Sequence, residues 1–154
     1  IDAMIHLGDY RQDAEELAQE LNLDCYCVDG NLDRIEKRKH EFLHVECGKI
    51  LLTHGHRENV KRGMSDLLSF CREEDCTGAF FGHTHMPFYD EIRGITLLNP
   101  GSISFPRSGD QGSYAIVTTD EQGIHASILY YSYRDTEKPQ GGYLRSLMNY
   151  SDGF

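Results

Sequence analysis

The sequence has no excess of basic residues and no long apolar run, and these absences exclude two large classes of function. It contains 15 Lys and Arg against 25 Asp and Glu, which gives a formal net charge of −10 at pH 7. Proteins that bind nucleic acid generally or attach to anionic membranes need a basic face, so we expect neither partner. No apolar run approaches the ~20 residues of a membrane-spanning helix. The polar first residues also do not resemble a signal peptide.

The sequence also lacks the cysteine spacing that is typical of redox and zinc motifs. Its five cysteines include no Cys-x-x-Cys pair. Cys25 and Cys27 lie in an apolar, strand-like run, and we interpret them as small buried side chains. Free thiols fit a reducing compartment, so the predicted location is the cytoplasm.

No repeat, low-complexity tract or linker divides the chain. Residues 1–154 are therefore predicted to form a single domain, with a polar tail over residues 134–154. The first half alternates strands with amphipathic helices and begins with a parallel βαβ unit, whereas the second half contains short β segments between turns. We expect an α/β fold in which two mixed β-sheets pack face to face and are flanked by helices.

The spacing of apolar residues predicts the individual elements. Helices are expected over residues 13–21 and 59–72, and a short docking helix over residues 143–150. The first helix would bury Ala14, Leu17, Ala18 and Leu21. A hairpin turn is expected at Gly48 and Lys49. Strands are expected over residues 3–7, 23–28, 41–46, 50–53, 77–82, 88–92, 95–98, 114–119 and 124–133.

Four apolar runs each end near a glycine and a side chain that can bind a metal ion. Together they supply a carboxylate, an amide oxygen and three imidazoles, from Asp9, Asn31, His54, His83 and His85. Binding sites commonly form where such strands end. This set of oxygen and nitrogen ligands suits Mn²⁺, Fe, Zn²⁺ or Ni²⁺ better than Ca²⁺ or an Fe–S cluster. A metal site is therefore the leading hypothesis.

The other histidines have different predicted roles. His6 lies within a predicted strand and is assigned a structural role. We expect His40, His44 and His125 to be surface groups, because their surroundings are polar or alternating. Two alternatives stay open for His56: it contacts substrate or metal, or it only caps the following helix.

The ordered motifs resemble those of the calcineurin-like metallophosphoesterases, and within that family the YfcE-like phosphodiesterase branch. The resemblance is carried by Leu7-Gly8-Asp9, Gly30-Asn31-Leu32-Asp33, Thr53-His54-Gly55-His56, Gly82-His83-Thr84-His85, and Asn99-Pro100-Gly101-Ser102 followed by Pro106-Arg107. It implies a phosphodiesterase with two divalent metal ions, Mn²⁺ first, with Ni²⁺, Zn²⁺ or Fe as alternatives. It further implies that a hydroxide bridging the metals attacks a phosphodiester bond.

The resemblance also implies a role for each residue. Asp9 would bridge the two ions. Asn31, His54 and His83 would complete the ligands of one ion, and His85 would bind the other. Arg107, Ser102 and His56 are the candidates for contact with the substrate, a small phosphoester molecule.

Two departures from the family pattern affect these expectations. The sequence contains no Asp-x-His motif, so the second metal site retains only Asp9 and His85, and the opening strand and helix of the fold are expected to be missing. Leu32 stands where many relatives have a histidine that can protonate the leaving oxygen, so esters with good leaving groups should react best. These departures favour the alternative hypothesis, a non-catalytic protein-binding scaffold of the same fold. A homo-oligomer, with the tyrosine-rich segment over residues 130–133 as interface, is also open.

Overall fold

The chain begins with the predicted strand–helix–strand unit, and the computed structural model describes residues 1–33, 35–109 and 111–132. In these ranges the elements follow in the order β1 (Ala3–His6), α1 (Arg11–Leu21), β2 (Asp24–Cys27), β3 (His40–Val45), β4 (Gly48–Thr53), α2 (Ser65–Glu73), β5 (Gly78–Phe81), β6 (Pro87–Ile92), β7 (Ile95–Pro100), β8 (Gly112–Asp120) and β9 (Gly123–Tyr131). The first helix connects β1 to β2, which pair in parallel. This confirms the βαβ unit.

Five strands form the central sheet, in the order β3-β4-β5-β7-β6. The three inner strands run parallel to one another, and the two edge strands are antiparallel to their neighbours. All four residues of β5 are buried, because this strand has a neighbour on each side and packed layers on both faces. The inner strands therefore end together at one edge of the sheet.

Side chains alternate between the two faces of the central sheet, and each face has its own apolar core. One core packs Leu51, Ala79, Phe81 and Leu97 against α2. The other packs Ile50, Leu52, Phe80 and Leu98 against the two-stranded ribbons β1-β2 and β8-β9. The predicted α/β sandwich is confirmed, and its second layer consists of two separate ribbons.

Two local predictions differ from the structure. The helix expected over residues 59–72 begins only at Ser65, because Asn59 and Gly63 have left-handed φ angles of 51° and 146° that interrupt a helix. The turn expected at Gly48 and Lys49 lies two residues earlier, at Glu46 and Cys47, because Gly48 already pairs with Val45.

Three residues in or near the first helix, Leu17, Leu21 and Cys25, are less buried than predicted. Leu17 and Leu21 are 45% and 56% exposed, and only Ala14 and Ala18 of the expected face are buried. The reason is that, within the described ranges, α1 packs mainly against the narrow ribbon of β1 and β2. Cys25 is half-buried rather than buried, whereas Cys27 is buried as expected. Burial raises the pKa of the Cys27 thiol to about 12, so this side chain acts as an apolar group.

No helix within the described ranges is both long and apolar enough to span a membrane. The docking helix expected over residues 143–150 lies outside the described residues. The assignment of residues 1–154 to a single domain stays a prediction.

Candidate metal centre

The residues singled out by the sequence are delivered by the loops that follow parallel strands of both layers. Asp9 follows β1 and Asn31 follows β2, while His54 follows β4 and the pair His83 and His85 follows β5. The ribbon β1-β2 thus supplies the oxygen ligands, and the central sheet supplies the imidazoles. Packing of these two layers brings the five side chains together.

Two glycines allow the ribbon loops to approach the central sheet closely. A Cβ atom on Gly8, whose φ is 96°, would lie 2.5 Å from His54 Nδ1. A Cβ on Gly30 would collide with the backbone and carboxylate of Asp9. Only glycine fits such contacts, so these two positions set the distance between Asp9, Asn31 and His54.

His54 lies at the centre of the cluster. Its ring is buried, and its Nδ1–H donates a 2.7 Å hydrogen bond to the carbonyl oxygen of Leu7. In the neutral ring this bond leaves the lone pair on Nε2. Burial lowers the pKa of His54, with the positive charges of neighbouring histidines adding to the effect, so the neutral ring is favoured.

The atoms that surround His54 Nε2 are themselves acceptors or ring nitrogens. The amide oxygen of Asn31 lies 3.0 Å away, Nδ1 of His83 3.2 Å away and a carboxylate oxygen of Asp9 3.5 Å away. Ligand atoms that each lie about 2.1 Å from one ion are separated by roughly 3.0–3.4 Å in octahedral or tetrahedral arrangements. The spacing around His54 Nε2 fits the ligands of a single cation.

His83 is held in its neutral form. Burial lowers its pKa to about 4, and the positive charges of Lys61 and His54 add to the effect. A neutral imidazole is the form that binds a metal ion. At neutral pH, His83 can therefore offer a ring nitrogen to a cation beside Asn31 and His54.

His85 lies on the other side of Asp9 and, like His54, has one ring nitrogen bonded to a backbone carbonyl. Its Nδ1–H donates to the carbonyl of Phe105 at 2.9 Å, and its Nε2 lies 3.4 Å from the second carboxylate oxygen of Asp9. Burial raises the pKa of Asp9, but the rings of His85 and His54 beside its carboxylate outweigh this effect, and the net pKa lies below its usual value. Asp9 is thus an ionised carboxylate that lies between the ring of His85 and the ring of His54.

The chemistry of this donor set fits a bound cation. The carboxylate of Asp9, the amide oxygen of Asn31 and the lone pair on His54 Nε2 face one another, and a metal ion would relieve the repulsion between them. Among the described residues, no three His, Cys, Asp or Glu side chains have metal-binding geometry by themselves. A cation site here would therefore include the amide oxygen of Asn31 as a ligand.

The three candidate substrate residues have different surroundings. His56 lies with its ring centre 5.2 Å from that of His54, and its Nε2 is 3.3 Å from Glu36. The hydroxyl of Ser102 accepts the backbone N–H of Phe105 at 3.0 Å. Arg107 has an exposed side chain and donates its backbone N–H to the carbonyl of His85 at 3.1 Å. All three therefore lie in loops that adjoin the cluster.

The histidines that were placed outside the site are only partly as expected. His44 and His125 are exposed, which confirms two surface predictions, and His6 is half-buried near Cys27. The prediction for His40 is wrong, because its Nε2 lies 2.7 Å from the buried carboxylate of Glu58. His40 starts β3 opposite Thr53, which also contacts Glu58, so pairing of the strands brings it there.

Sequence reasoning missed several groups that support the cluster. The carbonyls of Leu7 and Phe105 orient His54 and His85, but any residue has a carbonyl, so no sequence signal could reveal them. The sequence indicated Asn99 only as the first residue of the motif Asn99-Pro100-Gly101-Ser102. It is completely buried at the end of β7, and a polar residue within an apolar strand run is a signal that could have drawn attention to it.

Comparisons with known proteins identify the family of the chain. The model of the calcineurin-like phosphoesterase superfamily domain matches residues 1–122. Probable metallophosphoesterase YsnB of Bacillus subtilis is 34% identical over 140 residues, which cover 89% of this chain and 79% of that protein. Phosphodiesterase YfcE of Escherichia coli K12 is 32% identical over 86 residues, or 53% of this chain and 41% of that protein.

A solved structure shows the same similarity in three dimensions. It is that of a "predicted phosphoesterase" from Streptococcus pneumoniae TIGR4, with a TM-score of 0.72 and 29% identity. The match covers 88% of this chain and 79% of that one. The resemblance to calcineurin-like enzymes and the sandwich fold are thereby confirmed.

Proposed function

The chain belongs to the calcineurin-like phosphoesterase superfamily, and on that premise we propose that it is a metal-dependent phosphodiesterase. The observation that carries the proposal is the convergence of Asn31, His83 and Asp9 on the free lone pair of His54 Nε2. A hydrogen-bonded core would pair donors with acceptors, whereas the amide oxygen of Asn31 and the carboxylate of Asp9, which only accept, both face the lone pair on His54 Nε2. The relative named phosphodiesterase YfcE supports the phosphodiester as the substrate class.

Asn31, His54 and His83 would hold one divalent ion together with Asp9, which would share its second oxygen with an ion beside His85. When bound, the ions would neutralise the phosphate and lower the pKa of the attacking water. We propose Mn²⁺ first, with Ni²⁺, Zn²⁺ and Fe as alternatives that suit the same ligands. The second position has only Asp9 and His85 in this sequence, so the first should bind its ion more tightly.

The chain's own residues prepare the site for a phosphoester. The carbonyls of Leu7 and Phe105 fix the proton positions of His54 and His85, so both rings present the other nitrogen to the centre. Leu32 donates its backbone N–H to Asp9 at 3.3 Å but has no side-chain proton for a leaving oxygen. Diesters whose leaving groups have a low pKa should therefore react fastest.

A small phosphoester fits better than a nucleic acid, because the net charge of −10 repels a polyanion while a metal ion attracts a single phosphate. Arg107, Ser102 and His56 adjoin the cluster and are proposed substrate contacts. Free thiols favour the cytoplasm. A homo-oligomer stays an open proposal.

We expect Mn²⁺ to activate hydrolysis of bis(4-nitrophenyl) phosphate, and we expect Asn31→Ala and His83→Ala to lower kcat/KM by about 100-fold or more. Each substitution removes one metal ligand and leaves the apolar cores intact. Initial rates with and without Mn²⁺ check this, with unfolding curves to show that each variant is folded.

His125→Ala is the matched control for these substitutions, because it removes an exposed imidazole on β9 far along the chain from every proposed ligand. Its rate should equal that of the parent. Hydrolysis that is independent of Mn²⁺, or that survives both ligand substitutions, would contradict a metal-dependent phosphodiesterase.

One observation favours a second candidate, a protein-binding scaffold. Leu32, Met86 and Ile103 are 54%, 51% and 47% exposed, and each lies next to a site residue in the sequence. Exposed apolar groups of this kind are typical of partner surfaces. A scaffold would keep its partner after Asn31→Ala, whereas an enzyme would lose turnover, so a binding assay and a rate assay on the same variant separate the two.

A further inference from the structure

Asn99 is a buried polar residue at the point where the histidine loop begins. It is the fifth residue of β7, it is completely buried, and it lies opposite Phe88 of β6. On its other side, β7 pairs with β5 as far as Phe80 and Leu98. Asn99 is therefore the first residue of β7 beyond its last pair with β5. It lies beside the segment that leads from β5 to His83.

The side chain of Asn99 makes three hydrogen bonds in two directions. Its NH₂ group donates to the carbonyl of Gly82 at 2.8 Å and to the hydroxyl of Thr84 at 3.0 Å. Its carbonyl oxygen accepts the N–H of Gly101 at 2.9 Å. The amide cannot be reversed, because a backbone carbonyl only accepts and a backbone N–H only donates. The network thus requires an amide with this orientation.

The bonds to Gly82 and Thr84 fix an unusual stretch of backbone. His83 and His85 have left-handed φ angles of 65° and 55°, a conformation that is unfavourable for residues other than glycine. Thr84 lies between them, and its hydroxyl also accepts the N–H of Met86 at 3.3 Å. Asn99 therefore holds the residue that separates the two strained histidines.

The hydrogen bond from Gly101 to Asn99 holds the loop that orients His85. Ser102 accepts the N–H of Phe105, and the carbonyl of Phe105 accepts Nδ1–H of His85. The N–H of Arg107 then donates to the carbonyl of His85. One buried amide thus ties together the loop with both histidines and the loop that orients His85.

We propose that Asn99 is a positioning residue that holds His83 and His85 in their metal-binding conformation. The proposal rests on the proposed function for the role of the two histidines. Asn99 touches no proposed ligand atom itself, so it acts through the backbone of Gly82, the hydroxyl of Thr84 and the N–H of Gly101. Groups that support metal ligands in this way typically change metal affinity about 10–100-fold when they are removed.

Three substitutions test the proposal on the full chain. Asn99→Ala removes all three bonds, Thr84→Val removes the hydroxyl that accepts from both Asn99 and Met86, and Thr84→Ser keeps that hydroxyl. Mn²⁺ affinity, measured by electron paramagnetic resonance, should fall about 10-fold or more for Asn99→Ala, fall less for Thr84→Val, and return to the parent value for Thr84→Ser.

Tyr89→Phe is the control for loss of side-chain hydrogen bonds elsewhere in the fold. Its hydroxyl donates to Ile124 and accepts from Ala126, away from the histidine loop. This control should leave Mn²⁺ affinity unchanged, even if it lowers thermal stability. If folded Asn99→Ala and Thr84→Val both bind Mn²⁺ as the parent does, or if Thr84→Ser fails to restore binding, the positioning role is wrong.

Amide hydrogen exchange of the metal-free protein separates this proposal from the proposed function. The N–H of Thr84 donates to Gly82 and the N–H of Arg107 donates to His85, so both report on the loop without any metal. Both should exchange at least about 10-fold faster in Asn99→Ala, while amides of β4 keep their rates. A parent that binds no Mn²⁺ would overturn the proposed function, and unchanged exchange at Thr84 and Arg107 would overturn the role of Asn99.

Discussion

At the scale of single residues, Glu58 shows how a charge is held beneath the site. Its carboxylate is only 6% exposed, and it accepts hydrogen bonds from His40 at 2.7 Å and from Thr53 at 2.9 Å. Burial raises the pKa of Glu58, but the bonds from His40 and Thr53 outweigh it, so the net pKa lies below its usual value. Thr53 immediately precedes His54, and Glu58 therefore supports the end of β4.

The lowered pKa of Glu58 predicts a pH-dependent contribution to stability. Because the folded pKa is below the unfolded one, the stabilisation is present above the unfolded pKa and is lost as pH falls through the folded pKa. We expect Glu58→Gln to lower the free energy of unfolding by about 1.5–3 kcal/mol at pH 7 and by less as the pH drops below 4. Urea unfolding from pH 7 to pH 3 checks this.

Glu121→Gln provides the control, since Glu121 is exposed at the turn between β8 and β9. Its free energy of unfolding should track that of the parent at every pH. An equal loss for Glu58→Gln at pH 7 and at pH 3 would show that the charge of Glu58 does not stabilise the fold.

The residue scale also shows what the sequence could reveal about the site. Asp9, Asn31, His54, His83 and His85 were all identified from their glycine-flanked motifs, and the structure brings them together. Their conformations could not be predicted, because His83 and His85 look like alternate residues of a strand but have left-handed φ angles. In our proposal that geometry depends on Asn99, which is distant in sequence and reaches its partners Gly82 and Thr84, on either side of His83, only after β7 has paired.

At the scale of elements, α2 covers one face of the central sheet. Its buried residues Leu67, Leu68 and Cys71 pack against β4, β5 and β7, and none of them lies in the metal cluster. The apolar spacing predicted a helix in this region, which the structure confirms. The start of the helix was misplaced because the left-handed turn at Asn59 cannot be recognised from apolar spacing.

We expect Leu67→Ala to lower the free energy of unfolding by about 2–5 kcal/mol, because Leu67 is completely buried and its truncation leaves a cavity. Chemical denaturation measures this loss. Ser69→Ala, on the exposed side of the same helix, should change stability by less than about 0.5 kcal/mol. Equal effects of the two substitutions would contradict the assigned orientation of α2.

At the scale of the whole molecule, the cluster of residues proposed to bind metal is shared between two layers. The ribbon β1-β2 leads to Asp9 and Asn31, and the central sheet leads to His54, His83 and His85. The class of fold followed from the order of strands and helices. The arrangement of the second layer as two ribbons did not, since pairing between distant strands has no local signal in the sequence.

This division links metal binding to folding, because a cation that contacts both layers binds the folded chain and not the unfolded one. The most direct test is the thermal unfolding midpoint of the parent and of Asn31→Ala with increasing Mn²⁺. At 100 times its dissociation constant, Mn²⁺ should stabilise the parent by about 2.7 kcal/mol, or roughly 5–10 °C, and should stabilise Asn31→Ala much less. A midpoint that does not respond to Mn²⁺, or that rises equally in both proteins, would contradict a metal centre built from these residues.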